Sequence, residues 1–116
     1  MSERPLQSLN RVTLIGRLGR RPEMRYTPTG RPVTLFSIVT TLADPPVDSE
    51  HQSKIDWFNV VAWDVLAETC KQTLSKDQPV YVEGRIKTRR WQDADNTIHS
   101  RAEIIAQSVF PLVLPS

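Results

Sequence analysis

One cysteine, two histidines and four glycines are all that this 116-residue chain holds of those types. A lone Cys70 excludes an internal disulfide framework and fits a reducing compartment. His51 and His99 lie far apart, so no Cys/His spacing suits a metal. The short run Gly16-Arg17-Leu18-Gly19 lacks the spacing of a phosphate-cradling loop. No apolar run approaches the ~20 residues of a membrane helix. The start, Met1-Ser2-Glu3-Arg4-Pro5, has no basic stretch leading into an apolar one, so no secretory signal is expected. The acids cluster within residues 44–68 without forming a distinct carboxylate pair. Catalysis therefore has no visible support, and neither a cofactor nor a metal is expected. What is present is ordinary for one soluble domain: 39% hydrophobic and 24% charged residues.

Charge is unevenly spread. The net charge is only +2, yet residues 1–40 hold seven arginines against two acids, and residues 41–77 hold three lysines against seven acids. Arginines outnumber lysines by 11 to 4. A segregated, arginine-rich surface points to a polyanion, because the guanidinium forks onto phosphate and also stacks on rings.

Period-two alternation marks most of the chain as strand. Residues 10–18 place Val12, Leu14, Gly16 and Leu18 on one face and Arg11, Thr13, Ile15 and Arg17 on the other. A short continuation is expected at 23–26, and Thr27-Pro28-Thr29-Gly30 is a turn. Residues 32–42 form a second strand, apolar on both faces and hence central. A loop follows at 43–53, then a third strand at 54–63 that projects Trp57, Asn59, Val61 and Trp63 from one side. Residues 64–75 carry the helical stripe Leu66, Cys70 and Leu74, with Asp64 as N-cap. The fourth strand, 80–91, sorts into Val80, Val82, Ile86 and Thr88 against Tyr81, Glu83, Arg85, Lys87, Arg89 and Trp91. Asp93-Ala94-Asp95-Asn96 is a polar hairpin tip. The fifth strand runs 97–109, with Ala102, Ile104, Ala106 and Ser108 on one face and Arg101, Glu103, Ile105, Gln107 and Val109 on the other, and both histidines are read as loop residues.

Three strands, a helix, then two strands is the arrangement of the OB-fold, an all-β five-stranded Greek-key barrel with one helix between strands 3 and 4. Residues 1–8 read as a flexible arm and 9–114 as the domain. The second face of the fourth strand interleaves rings with cations, which fits a platform for unpaired bases and their phosphates.

Three runs resemble the bacterial single-stranded DNA-binding protein family. They are Asn10-Arg11-Val12-Thr13-Leu14-Ile15-Gly16-Arg17-Leu18, continued by Pro22-Glu23-Met24-Arg25-Tyr26 and Gly30; Trp57-Phe58-Asn59-Val60-Val61-Ala62-Trp63; and Val80 through Trp91. Their order and spacing match across nearly all of residues 10–110. The resemblance implies a homotetramer that wraps single-stranded DNA without strong sequence preference in replication, recombination and repair. By position, Trp57 and Trp91 match stacking tryptophans, and Trp63 sits where many members have a stacking phenylalanine. Arg25, Lys76, Lys87, Arg89 and Arg90 match basic positions. Arg17, Arg20, Arg21, Arg31 and Arg85 are added on charge alone. Subunit contacts are expected at Val12, Leu14, Phe58, Tyr81 and Glu83.

The departures from that family are specific. A further stacking tryptophan of some members would fall at 43–46, where this chain has no aromatic. Phe58 replaces a polar residue that some members place near a subunit interface. The flexible tail with an acidic tip, through which such proteins recruit replication and repair enzymes, is missing from this sequence, so recruitment by that route is not expected. The cytoplasm, with nucleoid association, is the expected location; an organellar mature form with its transit segment removed would read the same. Rival readings are a dimeric primosome accessory protein of the same fold, an OB barrel used only for assembly with its Trp/Arg face buried, and an RNA-binding domain.

Overall fold

The computed structural model describes residues 6–41 and 55–113. The loop expected at 43–53, the first five residues of the expected arm and the last residues of the apolar end lie outside them. Among the described residues, six strands and one helix follow in order: β1 Val12–Leu18, β2 Glu23–Tyr26, β3 Pro32–Thr41, β4 Ile55–Trp63, α1 Asp64–Thr73, β5 Pro79–Gln92 and β6 Ile98–Pro111. The sheet order is β1-β5-β6-β4-β3-β2, and β1 returns to pair with β3 at Arg17–Val39 and Leu18–Ile38. That pairing closes a five-stranded barrel of OB type, with β2 hydrogen-bonded to the first half of β3. The short continuation at 23–26 is thus a sixth strand, joined by the expected turn, in which Gly30 takes φ +86° and donates to Thr27 O.

Alternation fills the barrel. Leu18, Phe36, Ile38, Val60, Ala62, Val80, Val82, Ile104, Ala106 and Val109 form its core. The grouping of faces expected for the last strand is corrected at one point. Glu83 pairs with Ser108 but Gly84 pairs with Ala106, so Gln107 has no partner on β5. This one-residue bulge reverses the parity of β6 beyond it, turning Val109 in and Ser108 away from the core. The core face expected for β5 also ends early. Its pairing with β1 stops at Gly84, and every residue from Arg85 to Gln92 is exposed, Ile86 at 46% and Thr88 included. The outer half of the β5–β6 hairpin stands free of the barrel. Asn10 adds one rung at its base: its side-chain amide donates to Ile86 O and accepts from Ile86 N–H.

Helix α1 covers one end of the barrel through Ala67, Cys70 and Leu74. Thr34, fully buried on β3, donates its hydroxyl to Ala67 O at 2.7 Å and fixes the helix to the sheet. Asp64 is not an N-cap. Its backbone lies at φ +58°, the cap position is Trp63 with no side-chain bond, and the Asp64 carboxylate points to Arg31 instead. Burial pushes the Cys70 thiol up to about 11, so little thiolate exists near neutral pH. A disulfide reagent is expected to react with the native chain at mildly alkaline pH only as fast as the domain unfolds. Fast stoichiometric labelling would contradict this packing.

Candidate nucleic-acid interface

Strand register places several of the predicted site residues on one outer face. Along β3 and β4 the cross-strand neighbours are Val33–Trp63, Leu35–Val61, Ser37–Asn59 and Val39–Trp57. Val61 lies beside Ile105 of β6. From Ile105 the β5 pairs continue outward as Arg85–Ile105, Lys87–Glu103, Arg89–Arg101 and Trp91–His99. Trp57, Trp63, Trp91, Arg85, Lys87 and Arg89 therefore share a face with Arg25 of β2, whose neighbour is Val33. Arg90 has the opposite parity, pairs with Ser100 and points away from that face. It does not belong to the group in which the sequence placed it.

Trp57 lines a cleft of about 710 Å³ on this face. Arg20, Arg21, Glu23 and Lys71 line it from the β1–β2 segment and α1, Arg89, Arg101 and Glu103 from the β5–β6 hairpin, and Asn59 and Val61 from β4. Five cations thus face two acids. Arg89 and Arg101 stand directly opposite each other, where like charges repel. An anion between them would relieve that repulsion. Trp57 is 59% exposed, and Gly19 sets its position. A Cβ at Gly19 would lie 2.5 Å from Trp57 Cζ3 and 2.6 Å from Ser37 Oγ, so only glycine lets the indole lie against this turn. Ser37 Oγ is buried beneath, without a partner among the described residues. Lys71 reaches the cleft because its ammonium donates to Pro22 O.

Sequence reasoning missed Arg101, Lys71 and Asn59. Arg101 escaped because the expected tip at Asp93–Asn96 is one residue too short: it would set Ser100 opposite Arg89, whereas the hairpin pairs Gln92 with Ile98 and so Arg89 with Arg101. Lys71 could not be found, because only the docking of α1 beside β2 brings it there.

Trp63 stands apart from Trp57. The Arg31 guanidinium lies 4.4 Å from the Trp63 ring centroid and donates from Nε and Nη2 to both Asp64 carboxylate oxygens, at 2.9 and 3.0 Å. Arg31 is therefore engaged in a cation–π contact and a forked ion pair rather than offered freely to a ligand. Arg25 pairs with Glu23 at 3.1 Å, Arg17 donates to Asp77 O, and Lys76 is exposed in the turn between α1 and β5. None of these three lines the cleft.

Three carboxyls on this surface are held below their ordinary values. Asp64 is lowered by its hydrogen bond from Arg31, Glu83 by that from Tyr81 and then by Arg11, and Asp93 by that from His99. A carboxylate with a depressed folded pKa adds stability that is complete above its unfolded value and fades as pH falls through the folded one. The melting temperature is thus expected to hold on acidification to the ordinary values, 4.5 for Glu and 3.8 for Asp, and to fall below them. Asp64→Asn, tolerated at positive φ, should make that fall shallower; an unchanged acid profile would contradict the role of the Arg31 pair.

The expected subunit contacts divide. Val12, Leu14 and Phe58 are half-buried and pack against the core; Val12 and Phe58 also line an apolar groove of about 290 Å³ with Ile86. Tyr81 and Glu83 do face outward. The Tyr81 hydroxyl donates to Glu83 Oε2 at 2.8 Å, and Glu83 also takes Arg11. Beside them lie the outward residues of β1 and β6, Ile15 at 63% and Phe110 at 56% exposure, with the Tyr81 and Phe110 rings 6.0 Å apart. Neither Ile15 nor Phe110 was singled out from sequence. Among the described residues, no helix is long and apolar enough to cross a membrane, and no three His, Cys, Asp or Glu side chains gather as metal ligands.

Comparison with known proteins converges on one family. The profile described as "Single-strand binding protein family" matches residues 9–112. Single-stranded DNA-binding protein 1 of Chlorobaculum tepidum is 41% identical over 87 residues, covering 75% of this chain and 54% of that protein. The single-stranded DNA-binding protein of Neisseria meningitidis serogroup A is 39% identical over 102 residues, 88% of this chain and 59% of its own. The chain spans little more than half the length of these curated relatives. Among solved structures, a chain of the Plasmodium falciparum SSB complex with ssDNA superposes with a TM-score of 0.82 at 30% identity, over 95% of this chain and all of that one.

Proposed function

The chain belongs to the single-strand binding protein family, and from that premise we propose that it binds and protects single-stranded DNA without sequence specificity during replication, recombination and repair. The observation that carries this reading is Trp57, exposed in a cleft that Arg20, Arg21, Lys71, Arg89 and Arg101 also line. The mechanism is stoichiometric. Bases stack on the indoles of Trp57 and Trp91, whose π-faces accept any base. The cations displace counterions from the phosphates, giving an affinity that falls with salt. Flexible single strands can splay their bases onto a face of this kind; a duplex keeps them stacked inside. Arg85 and Lys87 extend the basic track along the hairpin, and Trp63 with Arg31 offers a weaker station at its far end.

A competition assay tests the reading. A labelled poly-thymidine oligomer bound by the chain should be displaced by unlabelled single-stranded DNA of mixed sequence and not by the same mass of duplex. Equal displacement by duplex would contradict it, and preferential displacement by RNA would favour the RNA-binding alternative.

The same reading includes self-association, most simply to a tetramer. β1 pairs with β5 on one side, and among the described residues its other edge meets β3 only at Arg17 and Leu18. An open edge beside exposed Ile15 and Phe110 supports strand addition from a second copy. Light scattering should give about four times the 13.2 kDa chain mass, and Ile15→Glu should reduce it. A monomeric mass for the unaltered chain would overturn this part.

A further inference from the structure

The far end of the β5–β6 hairpin holds a linked set of side chains that DNA binding alone does not account for. Trp91 and His99 are cross-strand partners whose rings stack at 5.4 Å between centroids and 22° between planes. On its other side, His99 Nε2 meets Asp93 Oδ2 at 2.7 Å. The second oxygen of Asp93 accepts the backbone N–H groups of Asp95 and Thr97, at 2.9 and 3.0 Å. The turn backbone therefore holds Asp93, Asp93 holds His99, and His99 backs the indole. The Arg89 guanidinium lies 5.7 Å from the same indole. This half of the hairpin has no barrel beneath it, so little else restrains Trp91.

We propose that His99, anchored by Asp93, is a positioning residue for Trp91: it holds one side of the indole so that the exposed remainder is presented to a base. An unbraced Trp on a free hairpin samples several rotamers, and ordering it on binding subtracts from affinity. A ring stacked in place beforehand removes that penalty. The inference rests on the single-stranded DNA reading above and adds to it a residue that does not itself touch DNA.

A double-mutant cycle on the full chain tests it, with a poly-thymidine oligomer as the probe. His99→Ala should weaken binding by about two- to tenfold, the range expected of one aromatic pair. In the Trp91→Ala background the same change should have no further effect, because its target is gone. His99→Phe, which keeps a ring against the indole, should recover most of the loss. Thermal melting is read alongside, and the Phe variant covers the case in which the Ala variant loosens the hairpin. Equal losses in both backgrounds would mean that His99 acts on DNA directly, and no loss in either would mean that Trp91 needs no brace; each overturns the proposal while leaving DNA binding intact. Failure of the unaltered chain to bind the oligomer overturns both readings together.

Discussion

Trp57→Ala is expected to weaken binding of a poly-thymidine oligomer by about 1–3 kcal/mol, roughly five- to 150-fold, the contribution of one stacked base. The indole lies on the outer face of β4, 59% exposed, against a turn that only Gly19 permits and between two groups of cations. Its removal deletes the stacking surface and leaves the barrel alone, because the core is built from the opposite parity, Phe58 through Ala62. The melting temperature should therefore hold while affinity drops. Trp63→Ala should cost distinctly less in affinity, because Arg31 already lies over that ring and is tied to Asp64. A ranking in which Trp63→Ala equals or exceeds Trp57→Ala would contradict the geometry. Gly19→Ala should imitate Trp57→Ala in part, by pushing the indole off its seat.

Gly84→Ala is expected to be the most damaging single methyl in the chain, at about 3 kcal/mol. Gly84 is buried where β5 passes from β1 to the free hairpin, opposite the bulge at Gln107. A Cβ there would collide with the carbonyl of Ile105, which is backbone and cannot rotate aside. Relief requires the β5–β6 ladder to open at the point that aims Arg85, Lys87, Arg89 and Trp91. Thermal melting should drop by roughly 10 °C for a domain of this size, and binding should fall with it. A variant as stable as the parent would show that the bulge does not fix the hairpin. Ala at Gly30, where nothing lies within 4 Å but φ is +86°, should cost less, because only local strain is involved.

Much of this was legible in the sequence because strands write their burial in a two-residue period. The two faces of β1 and β4 follow directly from alternation, and so does the common face of Trp57 and Trp63; β3, apolar on both faces, could be read only as central. Where reading stopped, a physical reason can be named. Parity carries no record of where a barrel ends, so Ile86 and Thr88 read as core although β5 has outrun β1 there. A bulge shifts parity without marking the sequence, which misplaced Val109. Asp64 has the chemistry of an N-cap, but a tertiary partner, Arg31, outcompetes the helix for its carboxylate. Arg31 itself was grouped with the DNA contacts on charge alone, and charge does not reveal an intramolecular partner 33 residues away. His99 was read as a loop residue although it lies inside the strand expected at 97–109, and the register that pairs it with Trp91 needs a tip one residue longer than the expected 93–96. The packing of half-buried Val12, Leu14 and Phe58 against the core was visible from their alternation.

The central claim is that one outer face both stacks bases and neutralises phosphates. Intrinsic tryptophan fluorescence, followed while a poly-thymidine oligomer is titrated at low and at high salt, tests both halves at once. The account predicts strong quenching at low salt, with log affinity falling linearly against log salt at a slope of about −0.7 per phosphate neutralised. Absence of quenching at low salt would contradict it, and would mean that the tryptophans and arginines of this face meet a protein surface rather than DNA.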